Sequence, residues 1–262
     1  MSQPIAVVTG ASRGIGLAVA RALLARGYRV FGLCRTAGPL DQVTWIPCDV
    51  TVPASVQAAF AAVLREGDPQ LLVVNAGMGV SGAAEFAAES SMARQLEVNL
   101  LGAIRCTQQV LGSMRRRKRG RIFLISSLGA LFPLPFQSLY SVSKAGLNAF
   151  SDALGLELRP FGIETCALML GDVKTDFTAS RKKSWQGDDL YGGRIRASVE
   201  KMERSEQSGM APEQVAAALV RLLRRRRLPP HAVVGTGNRL LALAARLLPT
   251  RWMLALLGKI YG

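Results

Sequence analysis

Three residues near the middle of the chain, Ser127, Tyr140 and Lys144, carry side chains that can form an acid–base centre. Ser127 follows a short apolar run typical of a buried strand. Tyr140 and Lys144 lie four residues apart on a predicted helix, where they share one face. A neighbouring ammonium group favours the phenolate form of tyrosine and lowers its pKa from about 10. The pattern indicates a catalytic base made without histidine. The alternative, for Tyr140 and Lys144 taken by themselves, is an aromatic residue at the edge of the core and a solvated helix lysine.

A glycine-rich turn near the N-terminus predicts a phosphate-binding site. An apolar strand at residues 5–9 is followed by closely spaced glycines and then by an amphipathic helix that extends to about Arg26. Glycines allow a tight turn and a close approach of the backbone to a ligand, whose phosphates meet the amides of the helix N-terminus. The order of strand, turn and helix strengthens this prediction. The candidate ligand-binding residues are Gly10, Ser12, Arg13, Gly14, Ile15 and Gly16.

The end of the second predicted strand indicates which dinucleotide would bind. This strand, at residues 28–34, ends at Arg35. In a dinucleotide-binding fold an acidic residue there would bond the ribose 2′-hydroxyl of NAD, whereas an arginine suits the 2′-phosphate of NADP. Arg13 could close on the same phosphate from the other side. We therefore predict NADP(H) as the cofactor; the alternative is that both arginines are ordinary surface residues.

Two further strand ends supply candidate cofactor contacts. Asp49 and Val50 come just after the strand predicted at residues 43–46. Asp49 could bond the adenine amino group or help to cap the helix that begins near Pro53. Small residues after the strand at 71–74 would let the backbone pass close to the cofactor ribose; these are Asn75, Ala76 and Gly77.

Asn99 is unusual because it lies inside the long helix predicted at residues 90–117. Asparagine is unfavourable in a helix interior. Its side chain therefore either bonds locally or has a functional role.

Alternating strands and helices predict an α/β fold: a single-domain, Rossmann-type doubly wound parallel sheet with helices on both faces. We expect residues 1–236 to form this NADP-binding domain, with an insertion at about 176–211 placed to form a substrate lid. The connection at residues 36–42 is too short and too rich in glycine and proline for a usual crossover helix. Residues 237–262 form an amphipathic tail, which could contact a membrane surface, cover the protein's own core or pack on a dimer partner.

Composition narrows the function classes. Hydrophobic residues make up 49% and charged residues 19%, which is typical of a globular protein. The net charge of +15 raises the question of a polyanionic partner. The basic clusters also fit solvated helix termini and lack interleaved aromatics, so we expect no nucleic acid. They lie at residues 115–121, 181–183 and 221–227.

Histidine and cysteine usage excludes several kinds of site. The single histidine, His231, argues against a Ser-His-Asp hydrolase and against a histidine-rich metal site, and we predict no metal. The four cysteines lack C-x-x-C spacing and lie in apolar segments, so we expect reduced core residues. The N-terminus does not read as a signal peptide. These features predict a cytoplasmic protein.

The motif set resembles that of the short-chain dehydrogenase/reductase family, over about residues 4–236. It comprises Thr9-Gly10-x-x-x-Gly14-x-Gly16, Asn75-Ala76-Gly77, Asn99, Ser127 and Tyr140-x-x-x-Lys144. Two details look like the branch that contains 17β-hydroxysteroid and retinol dehydrogenases. They are the run Ala76-Gly77-Met78-Gly79 with Gly82 and Glu85, and Leu134-Pro135-Phe136 ahead of the tyrosine.

The resemblance implies a role for each catalytic candidate. Ser127 would hydrogen-bond the substrate carbonyl oxygen, and Tyr140 would give that oxygen a proton as hydride arrives from the nicotinamide. Lys144 would bond the nicotinamide ribose and lower the pKa of Tyr140. Asn99 would hold a water molecule that completes a proton relay.

The resemblance also implies that Val173 and Thr175 meet the nicotinamide carboxamide. One departure lies next to them, because Leu170-Gly171 stands where the family commonly has Pro-Gly. Asp172 then places a charge close to the expected nicotinamide. Cofactor affinity or lid geometry could therefore differ from the family norm.

The expected activity is reduction of a ketone or aldehyde of a hydrophobic substrate by NADPH, or the reverse oxidation. A steroid, retinoid or polyketide-type substrate fits the apolar residues expected around the site. A 3-oxoacyl carrier-protein reductase is a second hypothesis, with basic clusters docking the acidic carrier. A third is a catalytically silent cofactor-binding or membrane-peripheral protein. Family resemblance also implies a homodimer or homotetramer, formed through the long helices.

Overall fold

In the computed structural model the described residues are 3–261, apart from the side chain of Arg246. Seven parallel strands form one sheet in the order β3-β2-β1-β4-β6-β7-β9, and β5 pairs with β8 in a small second sheet. This confirms the predicted doubly wound α/β fold. The strands are β1 (Ile5–Thr9), β2 (Arg29–Cys34), β3 (Thr44–Pro47), β4 (Pro69–Val74), β5 (Val80–Ser81), β6 (Gly120–Ser127), β7 (Ile163–Leu170), β8 (Lys182–Lys183) and β9 (His231–Val233).

Helices cover both faces of the large sheet. They are α1 (Gly14–Leu24), α2 (Pro53–Glu66), α3 (Glu89–Leu96), α4 (Gly102–Arg117), α5 (Ser138–Leu158), α6 (Phe177–Ser180), α7 (Arg194–Gln207), α8 (Pro212–Leu223), α9 (Thr236–Leu247) and α10 (Thr250–Tyr261). One apolar layer joins the sheet to α1 and α8, and another joins it to α2, α4 and α5. Because both faces are covered, central strands such as β1 are apolar and buried along their whole length.

The long helix predicted at 90–117 is not continuous. Helix α3 ends at Leu96, a π-helical segment follows at Glu97–Leu101, and α4 begins at Gly102. A π-helical turn is rare and often marks a functional position inside a helix. Asn99 lies in this turn, which explains how an unfavourable residue is accommodated.

The connection after β2 contains no helix, as predicted. Trp45 fixes it instead, because its indole donates a hydrogen bond to the carbonyl oxygen of Leu40 at 3.0 Å. A Cβ atom on Gly38 would come within 2.6 Å of this indole ring. The connection is therefore packed on β3.

The insertion after β7 is named the lid segment for its predicted role. It contains α6, β8 and α7, and the parallel pairing of β8 with β5 ties it to the segment after β4. The C-terminal tail forms α9 and α10, which are separated at Pro249. Ala242, Met253 and Leu257 are buried against Leu128 and Phe132, so the tail covers part of the protein's own core. In the described residues, no helix has the length and apolar character needed to cross a membrane.

Candidate active site

The carboxyl ends of β1, β4, β6 and β7 meet at one edge of the sheet and carry the predicted site residues. The chain continues from β1 to β2 on one side of the sheet and from β4 to β6 on the other side. The topological switch point therefore lies between β1 and β4. Ligands of open α/β sheets bind in the crevice at this point. The site is therefore where the topology predicts it.

The turn after β1 requires glycine because its backbone is closely packed. Gly10 has φ +61°, and its amide donates to the carbonyl oxygen of Leu33 at 2.8 Å. A Cβ atom on Gly16 would lie 2.3 Å from the carbonyl oxygen of Gly10, so only glycine fits there. Arg13 precedes α1 and no side chain of the described residues caps this helix. The amides of its first turn are the donors that an anion would use.

Asn75 and Thr9 fix the position of this turn relative to β4. The hydroxyl of Thr9 accepts hydrogen bonds from the amides of Asn75 at 2.9 Å and Ala76 at 3.1 Å. The Asn75 amide group in turn donates to the carbonyl oxygens of Thr9 at 3.1 Å and Gly10 at 3.0 Å. A Cβ atom on Gly10 would lie 2.9 Å from Ala76 Cα, so small residues are needed on both sides.

The two predicted phosphate-clamp arginines are both exposed. Arg13 lies at the start of α1 and Arg35 directly follows β2. Burial raises the pKa of the Cys34 thiol, and a hydrogen bond with the Ser12 hydroxyl opposes this rise. Ser12 therefore lies beside the end of β2. The turn and the end of β2 therefore face the same region.

Asp49 does not cap α2, so that part of its prediction is wrong. The helix begins after Val52 without a side-chain cap. The Asp49 carboxylate instead accepts hydrogen bonds from the Thr51 hydroxyl at 2.7 Å and the Thr51 amide at 2.9 Å. The Thr51 hydroxyl, followed by the Thr51 amide, Arg94 and Arg35, holds the pKa of this carboxyl below its ordinary value. Val50 is buried, and a Cβ atom on Gly102 would lie 2.9 Å from its side chain.

Asn99 uses every hydrogen-bonding group of its buried side chain inside the protein. Its Oδ1 accepts from the amide of Met78 at 2.8 Å. Its Nδ2 donates to the carbonyl oxygen of Met78 at 2.9 Å and to Ser143 Oγ at 3.0 Å. A Cβ atom on Gly77 would lie 3.5 Å from Asn99 Oδ1 and 3.9 Å from Lys144 Nζ. Asn99 therefore joins the segment after β4 to α5.

Ser127 and Tyr140 lie together, as predicted. Ser127 ends β6, and its hydroxyl accepts a hydrogen bond from the amide of Gly129 at 3.0 Å. Burial raises the pKa of Tyr140 above its ordinary value, and the hydrogen bond with Ser127 opposes this effect. The predicted shift of Tyr140 toward neutral pH is therefore wrong in this structure, because burial outweighs the groups that stabilise a phenolate. The Tyr140 phenol is therefore protonated near neutral pH.

Lys144 is buried one helical turn after Tyr140. Its Nζ donates to the carbonyl oxygen of Ile125 at 2.7 Å and lies 5.8 Å from the centre of the Tyr140 ring. Burial lowers the pKa of Lys144 to about 8. The ammonium group is thus held beside the phenol by the strand that carries Ser127.

The segment after β7 returns to the glycine-rich turn. Val173 forms a parallel bridge with Met210, and the Thr175 hydroxyl accepts from the amide of Phe177 at 3.2 Å. A Cβ atom on Gly14 would lie 3.3 Å from the Thr175 methyl group. The structure therefore brings Thr175 to the glycine-rich turn, whereas Val173 pairs with the segment between α7 and α8.

Comparison with known proteins decides the family. A family model described as short chain dehydrogenase matches residues 4–186. The chain belongs to the short-chain dehydrogenase/reductase family. A 3-ketodihydrosphingosine reductase of Bacteroides thetaiotaomicron is 35% identical over 240 residues, which cover 90% of this chain and 89% of the relative. Human 17-beta-hydroxysteroid dehydrogenase type 1 is 33% identical over 194 residues, which cover 68% of this chain and 59% of that relative.

Solved structures of this family have the same fold. A short-chain dehydrogenase from Streptomyces avermitilis superposes with a TM-score of 0.84 at 29% identity and covers 98% of both chains. A variant of the actinorhodin polyketide ketoreductase with NADPH superposes with a TM-score of 0.73 at 29% identity, covering 89% of this chain and 95% of the other.

The residues of this short-chain dehydrogenase/reductase fit a nicotinamide dinucleotide. The glycine cradle admits no Cβ atom at residue 16, and the first-turn amides of α1 are anion donors. Among the described side chains, no group of three or more His, Cys, Asp or Glu is arranged to hold a metal ion.

Sequence reasoning missed a buried ion-pair network in the lid of this short-chain dehydrogenase/reductase. Arg181 belongs to a basic cluster that also fits solvated charges, yet its side chain is only 1% exposed. It pairs with Glu206 of α7, and its guanidinium lies 5.6 Å from the centre of the Phe177 ring. That ring lies 6.0 Å from the Tyr140 ring. The one signal in the sequence that indicates a partner is the acid at every third position of α7, namely Glu200, Glu203 and Glu206.

Asp172, the departure noted in the sequence, faces the lid. Its carboxylate accepts a hydrogen bond from the Ser205 hydroxyl of α7. Burial raises the pKa of Asp172, and the Ser205 bond opposes that rise. The amide of Met210 also donates to the Asp172 carbonyl oxygen at 3.0 Å. The residue therefore anchors α7 at the end of β7.

Proposed function

We propose that this protein uses NADPH to reduce a ketone or aldehyde of a hydrophobic substrate, or catalyses the reverse oxidation. The observation that carries the proposal is the arrangement of three side chains. The buried, protonated Tyr140 phenol lies beside Ser127, and Lys144 follows one helical turn later with its Nζ 5.8 Å from the centre of the Tyr140 ring. A carbonyl that gains hydride develops negative charge on its oxygen, which needs hydrogen-bond donors and an acid of matched pKa. This trio supplies both.

NADPH would supply the hydride when bound. The turn from Gly10 to Gly16 would hold the pyrophosphate, and Asp49 and Val50 would lie by the adenine. Asn75, Ala76, Gly77 and Lys144 would line the riboses, and Val173 and Thr175 the carboxamide. Ser12 and Ile15 would add contacts in the turn.

The chain's own residues would then move the proton. Ser127 would hold the substrate carbonyl oxygen, and Tyr140 would donate its phenolic proton to that oxygen. Lys144 would stabilise the phenolate that remains, because its ammonium group lies beside the ring. A relay water that returns a proton through Lys144 would have to bond the main chain of Asn99, because the Asn99 side-chain groups already bond Met78 and Ser143.

NADP(H) is proposed over NAD(H) because of Arg13 and Arg35. Both are exposed at the crevice, and the described end of β2 carries no acidic residue that would bond a ribose 2′-hydroxyl. Guanidinium groups suit the 2′-phosphate because their donors match phosphate oxygens.

A hydrophobic substrate is proposed from the lining of the site. Phe177 packs near Tyr140, and Phe136 meets Tyr191 edge-on with ring centres 5.8 Å apart. Leu131 and Leu134 follow Ser127 and are partly buried against the tail. The names of the two relatives, one acting on a ketosphingoid and the other on a hydroxysteroid, support a lipid-like substrate.

A carrier-protein substrate is less well supported. The cluster at residues 115–121 lies around the start of β6, and the cluster at 221–227 begins in the last turn of α8. Both are at the sheet edge opposite the catalytic one. Arg121 binds the Glu164 carboxylate and the carbonyl oxygen of Leu223, so it holds the fold together. Turnover of a carrier-linked against a free ketone at low and high salt separates the two hypotheses.

We also propose a homodimer or homotetramer through α4 and α5, together with a cytoplasmic location. Leu101, Val142 and Leu156 are exposed on or beside these helices. The four free, buried cysteines fit a reducing compartment. Sedimentation of a monomer alone at micromolar concentration would argue against the assembly.

The test is NADPH consumption by the purified protein with long-chain, cyclic and small hydrophilic carbonyl compounds. Tyr140→Phe should lower kcat by about 10²- to 10⁴-fold, the usual contribution of general acid catalysis, with NADPH affinity little changed. Tyr28→Phe, remote from the crevice, is the control. Turnover of sugars or amino acids only would overturn the substrate class. Full activity of Tyr140→Phe would overturn the mechanism.

A further inference from the structure

The two C-terminal helices expose an unusual amount of apolar surface. Nine of the sixteen large apolar side chains that are exposed in the described residues lie between 240 and 260. Leu247 is 74% exposed and Trp252 is 60% exposed. Clustered apolar surface of this kind marks an interaction site rather than ordinary solvent exposure. The nine residues are Leu240, Leu241, Leu243, Leu247, Leu248, Trp252, Leu254, Leu256 and Ile260.

The charges around this surface select the kind of partner. The sequence contains no acidic residue after Glu213, whereas Arg239, Arg251 and Lys259 are exposed beside the apolar side chains. Apolar helix faces flanked by cations are typical of helices that lie in the interface of an anionic bilayer. A second copy of the chain would bring the same positive charges to a symmetric interface, which disfavours self-pairing there.

The inner side of the same helices is attached to the substrate site. Met253 and Leu257 pack against Leu128 and Phe132, which follow Ser127 in the chain. On the lid, Lys201 of α7 donates from Nζ to the carbonyl oxygen of Ile260 at 2.7 Å. The exposed face is therefore coupled to the loop after Ser127 and to the lid.

We propose that the outward face of α9 and α10 docks on an anionic lipid bilayer and that the hydrophobic carbonyl substrate enters the active site from this bilayer. The docking part of this proposal depends only on the exposed apolar and basic residues of α9 and α10. Entry of the substrate rests additionally on the proposed function, because it requires a lipid-like ketone.

Docking is tested by co-sedimentation of the full chain with vesicles of phosphatidylcholine mixed with phosphatidylglycerol, and with vesicles of phosphatidylcholine alone. The protein should bind the mixed vesicles more tightly, and added salt should weaken binding. Leu243→Ser/Leu247→Ser/Trp252→Ser/Leu256→Ser should lower the vesicle partition coefficient by about tenfold or more, because apolar burial drives insertion.

The matched control removes exposed apolar side chains elsewhere. Val52→Ser/Leu64→Ser changes two such residues at and in α2 and should bind vesicles like the unmodified protein. Arg251→Glu/Lys259→Glu keeps the apolar face and should abolish the preference for anionic vesicles. Thermal unfolding of each variant checks that it folds.

Three results would overturn docking: no binding to mixed vesicles, equal loss of binding in the α2 control, or undiminished binding by the four-serine variant. Sedimentation of a dimer that the four-serine variant converts to monomer, without vesicle binding, would assign the face to self-association and overturn the proposal.

Substrate entry is tested by activity with and without mixed vesicles. Vesicles should accelerate reduction of a long-chain ketone and leave a short water-soluble ketone unaffected, and the four-serine variant should lose only the acceleration. Acceleration that persists in this variant would overturn entry from the bilayer. Vesicle binding without reduction of any ketone would instead overturn the proposed function and leave docking standing.

Discussion

Lys144 donates a hydrogen bond from Nζ to the carbonyl oxygen of Ile125 at 2.7 Å, two residues before Ser127. This bond fixes α5 against the end of β6 and so sets the spacing between the phenol and the serine hydroxyl. It also holds an ammonium group in a buried position, where burial lowers the pKa of Lys144 to about 8.

The first prediction concerns stability and pH. Unfolded lysine has a pKa of about 10.4, so between about pH 8 and that value the unfolded chain binds more protons and stability rises with pH. Lys144→Met has no titrating group at this position. The unfolding free energy of the unmodified protein, minus that of the variant, should therefore increase by up to about 3 kcal/mol between about pH 7 and pH 10.5.

Urea unfolding of both proteins across this pH range measures the difference. Other lysines and tyrosines titrate in both proteins and cancel in the subtraction. A difference that stays constant with pH would mean that Lys144 keeps an ordinary pKa in the folded protein.

The second prediction concerns Asn99. Asn99→Ala leaves the amide and the carbonyl oxygen of Met78 without their partner, at about 1–3 kcal/mol for each buried group. We expect a stability loss of about 2–4 kcal/mol in thermal unfolding and a lower kcat. Asn148→Ala is the matched control, because Asn148 is similarly buried but makes only a 3.5 Å contact with the sulfur of Met169. Equal losses in the two variants would show that the Met78 bonds do not matter.

The third prediction concerns the cofactor. Arg13→Ala/Arg35→Ala should weaken NADPH binding by roughly 10- to 100-fold, since hydrogen bonds to charged groups contribute about 1.5–3 kcal/mol. NADH binding, which involves no 2′-phosphate, should change little. Fluorescence titration with each dinucleotide measures both, with Arg26→Ala at the far end of α1 as the control. NADH binding as tight as NADPH binding by the unmodified protein would refute the clamp.

The fourth prediction concerns the lid. Arg181→Met leaves the Glu206 carboxylate, which is only 14% exposed, without its cation, and this should destabilise the protein by about 3–5 kcal/mol. It also frees Phe177, so KM for a hydrophobic ketone should rise more than kcat falls, while NADPH affinity is retained. Lys183→Met is the control, because Lys183 pairs with another acid of α7, Glu203, but is 31% exposed.

A double variant separates charge burial from shape. Arg181→Met/Glu206→Leu removes both buried charges and should regain most of the lost stability, as buried ion pairs replaced by apolar residues often do. If it recovers stability but not KM, Arg181 positions Phe177. Recovery of both would show that only the unpaired charge caused the defect.

Local patterns were sufficient for the sheet and for the positions of the motifs. Apolar runs predicted β1, β2, β3 and β4 to within two residues, because strands covered on both faces are rich in apolar residues. The helix predicted at 90–117 was wrong in one respect, since nothing local distinguishes a π-helical turn from regular helix. The one local sign of the π-helical turn was Asn99, an unfavourable residue in a helix interior.

The sequence by itself determined the family, the glycine-rich turn and the set of candidate catalytic residues, because these depend on residue types at short, fixed spacings. Only the tertiary structure decided the partner of Arg181, the anchoring of Asp172 on Ser205 and the ionisation of Tyr140 and Lys144. Each of these depends on burial or on contacts between residues far apart in the chain. A pKa is set by the groups and the solvent around a side chain, and the spacing of residues along the chain does not contain that information.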